Sequence, residues 1–303
     1  LTIDPLAAMA THDSDNLFDL LDDVRFSDAD VNAMLEALAN DERQLLPDLH
    51  EPLQDPEPQI DRAEELRDKW GTDRGQIWQI GPHRLMCGDC TKERVGDNYE
   101  MVWTDPPYGE AIGDKNKLLN SIAFANRVEN NLVNDTLDAD ELECMLSNAF
   151  LVIKEGIKPG GACYVTAPPG PLHLIFGSVL KDLGIWHQTI QWVKNNATFS
   201  PMGVDYHWQA EPMFYGWFPG GGHRFYGGRK QTTVWEIDRP AKSPEHPTMK
   251  PVELVARAIV NSSIAKDIVY DPFLGSGTTM VAAEQLGRVC YGMEIEPKYV
   301  AVT

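Results

Sequence analysis

Four consecutive residues, Asp105-Pro106-Pro107-Tyr108, combine a carboxylate, a rigid backbone and an aromatic ring. Adjacent prolines fix the chain and supply no competing N–H donors. The Asp105 carboxylate and the Pro106 carbonyl can then stand as two fixed acceptors. Together they can receive both hydrogens of a planar aromatic amine while Tyr108 stacks on its ring. Such an amine is a poor nucleophile, because its lone pair is delocalised into the ring. Acceptors placed out of the ring plane favour a pyramidal nitrogen and localise that pair. The nitrogen can then attack an electrophilic methyl group in line, with orientation supplying much of the rate. A nearby carboxylate offsets the charge that moves onto nitrogen. An ordinary Pro-Pro turn after a strand would show the same four residues, so a second site has to support the chemistry.

The second site is the segment from Asp271 to Thr279, which contains Phe273, Gly275, Gly277 and Thr278. Gly275 and Gly277 allow a sharp bend and close approach to a ligand. The helix that follows offers free N–H groups at its start. The next strand ends at Glu294, whose carboxylate can accept from both ribose hydroxyls of an adenosine-containing ligand. The third glycine of a dinucleotide fingerprint is missing, as is the Gly-Lys-Ser/Thr of a phosphate loop. A ligand with ribose but no pyrophosphate suits these departures, and S-adenosylmethionine is such a ligand. A simple two-glycine turn is the competing reading.

The elements that must carry both segments read as α/β. Residues 76–80 and 84–87, separated by Gly81-Pro82, suggest a short strand pair. Residues 100–103 form a buried-type strand that runs into Asp105. Helical patterns cover 137–157, stopped by Pro159-Gly160-Gly161, then 172–183, 251–262 and 278–286. Strands are expected over 162–166, 186–193, 212–218, 268–270 and 289–293. This alternation predicts a mostly parallel sheet with helices on both faces. Asp105 then lies at the carboxyl edge, where open α/β sheets bind ligands.

With these motifs in this order, the chain resembles the permuted (beta-class) amino-methylating DNA methyltransferases, from about Gly75 to the end. In that class the Asp-Pro-Pro-Tyr motif precedes the S-adenosylmethionine loop, as Asp105 precedes Asp271 here. The resemblance implies a Rossmann-like S-adenosylmethionine-dependent methyltransferase fold and transfer to an exocyclic amine, adenine N6 first. Cytosine N4 is the alternative, although that group more often shows Ser where Asp105 stands. A decayed DNA-binding module is the reading from a different class. The resemblance also implies that Asp89, in the segment from Arg84, lies near the cofactor adenosine. Thr248 and Lys250, in the segment from His246 to Pro251, would approach the methionine carboxylate. It further implies double-stranded DNA as partner, a restriction-modification setting, a bacterial or phage cytoplasmic location, and self-association into a homodimer as an option.

A DNA-contact region is expected between Asn195 and Lys230, where aromatics crowd beside Arg224, Arg229 and Lys230. Phe214 and Trp217 within it read as core. The loop from Glu110 to Asn134, carrying Lys115, could close over the target. Cys87, Cys90 and His83 lack a second metal-ligand pair, so zinc is discounted and no metal is expected.

Charge fits this division. The net charge is −20, of which residues 1–70 hold −14 and the remainder −6. Residues 1–70 therefore read as an acidic, partly disordered leader, and 71–303 as the methyltransferase domain. The leader resembles the linker that joins a ParB-like domain in phage-type relatives, though no such domain is visible. The start at Leu1 and the stop at Thr303, early in an expected final helix, read as a fragment. Five scattered cysteines suit a reducing compartment better than a disulfide framework. No apolar run is long enough to predict a membrane span.

Overall fold

The computed structural model describes residues 53–56, 59–109, 136–198, 205–228, 230–239 and 250–303. Nine strands form one mixed sheet in the order β1-β2-β9-β8-β3-β4-β6-β5-β7. They are β1 (Ile77–Ile80), β2 (His83–Cys87), β3 (Tyr99–Thr104), β4 (Ile157–Thr166), β5 (Trp186–Thr198), β6 (Trp208–Trp217), β7 (Val234–Glu236), β8 (Ile268–Asp271) and β9 (Val289–Glu294). The helices are α1 (Ala63–Trp70), α2 (Ala139–Gly156), α3 (His173–Asp182), α4 (Val252–Ser262), α5 (Thr278–Gln285) and α6 (Pro297–Val302). The run from β2 to β4 is parallel, while β1–β2, β4–β6 and β5–β6 are antiparallel.

Period-two burial divides the core between the two faces. Met101 and Trp103 of β3, Ala162 and Tyr164 of β4, and Val269 of β8 pack against α4 and α5. Val102, Cys163, Val165 and Tyr270 pack on the other face against α2 and α3. There Tyr99 and Tyr270 stack with ring centroids 4.2 Å apart. Strands buried on both faces explain the near-continuous apolar runs that the sequence shows. Helix α2 starts where expected because Asp138 accepts from the Glu141 N–H while Glu141 reaches back to the Asp138 N–H, a reciprocal cap.

The topology fixes where a ligand can sit. From β3 the chain crosses by α2 to β4, on one side. From β8 it crosses by α5 to β9, on the other side. β3 and β8 are parallel neighbours, with Val102 opposite Tyr270. The crevice at their carboxyl ends is thus a topological switch point.

Three local expectations change. Pro159-Gly160-Gly161 does not stop a helix: α2 ends at Gly156 and β4 begins at once at Ile157. The glycines serve close approach instead. A Cβ on Gly160 would lie 2.2 Å from the Gly222 carbonyl oxygen, and the Gly160 N–H donates to the Phe218 carbonyl at 3.0 Å. β7 was not expected; it is a three-residue edge strand with only Trp235 buried. The leader holds α1, whose Ala63 and Leu66 are buried, and Thr72 just beyond it donates to the Pro297 carbonyl of α6 at 2.7 Å. No helix among the described residues is long and apolar enough to cross a membrane.

Candidate active site

Asp105 follows β3 by one residue, so the strand aims its backbone at the switch point. Its carboxylate is engaged on both oxygens. Oδ1 accepts from the Tyr108 hydroxyl at 3.0 Å and from the Thr166 hydroxyl at the end of β4. Oδ2 accepts from Lys250 Nζ at 3.0 Å. The same ammonium group lies 5.2 Å from the Tyr108 ring centre, and that ring meets Phe176 of α3 edge-on at 6.0 Å. Lys250 also pairs with Glu211 Oε2 at 3.5 Å. Glu211 Oε1 in turn accepts from Lys194 of β5. The result is an alternating row of charges, Asp105–Lys250–Glu211–Lys194, running from β3 to β5.

Burial and pairing oppose each other along this row. Burial alone would lower the Lys250 pKa, but Asp105, Tyr108 and Glu211 outweigh it and hold it well above its ordinary value. Burial would raise Glu211, and the two lysines bring it down instead. Burial lowers Lys194 despite Glu211. Burial, and then the Asp105 charge, push the Tyr108 phenol well up, so Tyr108 stays a neutral donor to Asp105.

The glycine segment lies beside this row. The charge of Asp105 is close enough to bear on Asp271 at the end of β8. Asp271 is 2% exposed, and both its oxygens serve the loop: the Phe273 N–H donates to Oδ1 at 3.0 Å and the Thr279 hydroxyl to Oδ2 at 2.6 Å. It shapes the turn from within rather than facing a ligand. Gly275 has φ +59°, and a Cβ there would meet nothing within 4 Å. Gly277, at φ +96°, begins α5 without any side-chain cap. Thr278 is half-buried at the first helical position, and Phe273 packs half-buried over the core of the α2 face.

Glu294 closes the far side. Its Oε2 accepts from the Gly275 N–H at 2.9 Å and its Oε1 from the Glu296 N–H at 2.8 Å. Burial pushes its carboxyl up to about 7 against those bonds. Asp89 is next to it, because Cys87 of β2 faces Glu294 and the Gly88 N–H donates to the Glu294 carbonyl at 3.0 Å. Asp89 accepts from Thr91 and pairs with Lys92 at 2.7 Å. Open space over a left-handed glycine, an uncapped helix start and carboxylates at two strand ends fit an adenosine ligand with an anionic tail, as S-adenosylmethionine has.

Comparison with known proteins bears on the same region. Residues 221–303 match the N6_N4_Mtase family model, described as DNA methylase. The Type II methyltransferase M2.LlaDCHI of Lactococcus lactis subsp. cremoris is 24% identical over 236 residues, covering 68% of this chain and 81% of that protein. The Type II methyltransferase M2.DpnII of Streptococcus pneumoniae is 25% identical over 223 residues, with the same shares. These matches support an amino-methylating DNA methyltransferase. In fold, this methyltransferase is similar to the solved PvuII DNA methyltransferase (cytosine-N4-specific), with a TM-score of 0.56 and 17% identity over 76% of this chain and 88% of that one.

Other expected residues of the methyltransferase fall differently. Lys250 is bonded to Asp105. Arg224 is exposed beside Glu100, Lys158 and Ser262, at the amino ends of β3 and β4. That edge is opposite to the one that carries Asp105, because the Gly220–Gly222 turn packs on Pro159. Lys230 is exposed on the segment that leads into β7. Lys115, Arg229 and Thr248 lie outside the described residues, as does the loop from Glu110 to Asn134. Phe214 is buried and Trp217 half-buried on β6, as core residues. His83 accepts from the Cys290 N–H at 2.9 Å and pairs with Glu284 at 2.8 Å, so it ties β2 to β9 and α5.

Sequence reasoning missed Thr166, Glu211 and Lys194. Thr166 ends a strand next to β3, which topology alone reveals. Lys194 and Glu211 each fall one residue outside the strands expected over 186–193 and 212–218; β5 and β6 run longer and bring them onto the sheet.

Proposed function

We propose that this methyltransferase moves a methyl group from S-adenosylmethionine to the exocyclic N6 amine of adenine in double-stranded DNA, with the base turned out of the helix. The observation that carries the reading is the Asp105 carboxylate, held by Tyr108, Thr166 and Lys250 beside the open turn at Gly275. The bound cofactor supplies an electrophilic sulfonium methyl. Asp105 and the Pro106 carbonyl accept the two amine hydrogens, Pro107 keeps that carbonyl fixed, and Tyr108 stacks on the base. Holding the amine in attack geometry is the main contribution. Asp105 offsets the positive charge that grows on nitrogen, and the methylated amine then gives its proton to water. Glu294 accepts from ribose hydroxyls, Asp89 flanks the adenosine, and the first N–H groups of α5 face the anionic tail.

Adenine is favoured over cytosine because Asp105 stands where the cytosine group more often carries Ser. Cytosine N4 is the second reading, since its amine needs the same acceptors and the PvuII enzyme shares this fold. One assay separates them. The protein is incubated with methyl-labelled S-adenosylmethionine and unmethylated double-stranded DNA, and the product is digested to nucleosides. Label in N6-methyladenine supports the proposal, label in N4-methylcytosine replaces it with the second reading, and no label with cofactor bound rejects both.

A further inference from the structure

A substrate amine has to compete for Asp105 with donors already in place. Three donors already occupy its two oxygens: Tyr108 and Thr166 on Oδ1, Lys250 on Oδ2. Oδ2 carries the one donor of the three that a neighbouring carboxylate could also take, so an incoming amine gains the strongest acceptor there if the ammonium yields. Lys250 is itself buried, so an ammonium that leaves Asp105 needs another acceptor, or its desolvation is left uncompensated. One is in place. Glu211 Oε2 is buried, has no hydrogen-bond partner among the described residues, and lies 3.5 Å from Lys250 Nζ. Its sister oxygen is held by Lys194, whose side chain is 4% exposed, so the carboxylate cannot turn away.

Buried polar atoms are rarely left without a partner. We infer that Glu211 is a positioning residue that acts through Lys250: it holds one oxygen in a 3.5 Å ion pair with Lys250 and free of any full hydrogen bond, so that Lys250 can pass from Asp105 to Glu211 when the target amine arrives. The inference rests on the amine-methylating reading above. The transfer conserves hydrogen bonds, since the amine takes the place of the ammonium on Oδ2 and the ammonium fills Oε2. It also leaves the negative charge of Asp105 facing the nitrogen as that atom becomes cationic. Lys194 fixes the geometry from below, and Trp192, 5.0 Å from Lys194 Nζ, lines the same strand. Register places Glu211 opposite Trp192, so Glu211 and Lys194 are anchored on neighbouring strands.

The test is a double-mutant cycle on the full chain, using DNA that the wild type methylates. Glu211→Gln should lower kcat by at least about tenfold and leave the dissociation constant for S-adenosylmethionine within about twofold. In a Lys250→Met background the same change should add less than about twofold, because the group it acts through is gone. An independent effect of similar size in both backgrounds would reduce Glu211 to a structural role, and an unchanged kcat would sink the inference while leaving the wild-type activity intact. If wild type itself transfers no methyl, the underlying reading fails first. A structure of wild type with a cofactor analogue and a target oligonucleotide gives a check that needs no variant. Lys250 Nζ should be within about 3.2 Å of Glu211 Oε2; finding it still on Asp105 Oδ2 with the amine bound would overturn the inference.

Discussion

Lys250 Nζ donates to Asp105 Oδ2 at 3.0 Å across 145 positions of sequence. The contact joins the segment after β3 to the segment before α4, and it exists because β3 and β8 are parallel neighbours at a switch point. It also ties Lys250 to the Asp105–Tyr108 segment. Removing it leaves Asp105 and Glu211 as neighbouring half-buried carboxylates with one lysine between them fewer. Lys250→Ala should therefore destabilise the fold by roughly 3 kcal/mol, seen as a lower denaturation midpoint in urea, while Lys250→Arg should recover part of the loss.

The pH dependence of stability has a definite sign. Burial pushes Asp271 and Glu294 up to about 7 from 3.8 and 4.5. Between those values and about 7 the folded protein holds protons that the unfolded chain has released. Each group therefore favours folding at low pH, and its contribution falls away as pH rises through that window. Thermal midpoints should decline from pH 5 to pH 8, and Glu294→Gln should flatten the decline. A midpoint that climbs over this range, or an unchanged slope in the variant, would contradict the burial argument.

Gly275 separates ligand contact from folding. Its left-handed φ of +59° would cost Ala about 1 kcal/mol, and the added Cβ would project into open space rather than into protein. Gly275→Ala should keep its fold and lose at least about tenfold in cofactor affinity by calorimetry. Affinity unchanged within twofold would mean that the open space is not where the cofactor lies.

Position along the sheet predicts which residues feel DNA. Trp208 and Tyr206 are 41% and 86% exposed at the start of β6, beyond the end of β4 that carries Thr166. Arg224 lies at the opposite edge. Trp208→Ala should weaken DNA binding by about 1–3 kcal/mol, whereas Arg224→Ala should leave it nearly unchanged, both read by fluorescence anisotropy. The reverse order would place the DNA on the wrong edge of the sheet.

The contrast between Asp105 and Glu211 shows what a sequence can carry. Asp105 was legible because its neighbours Pro106, Pro107 and Tyr108 are local and each has a physical reason to be there. The strand-turn-helix around Gly275 was legible for the same reason. Glu211 was not, because its meaning comes from Lys194 and Lys250 across strands whose order the sequence does not state. Pro159-Gly160-Gly161 misled in a related way: glycines that usually end helices here admit the Gly220–Gly222 turn. Arg224 read as a DNA contact from its composition alone, and antiparallel pairing of β6 with β4 carried it to the far edge.

The central claim is that Asp105 acts on the methyl acceptor while the glycine turn holds the donor, in one crevice with divided roles. Single-turnover methyl transfer and cofactor affinity, both measured on Asp105→Ala, test it most directly. The account predicts that transfer falls by at least about 100-fold while the cofactor dissociation constant stays within about twofold. Transfer that persists, or cofactor binding that is lost along with it, would contradict the division.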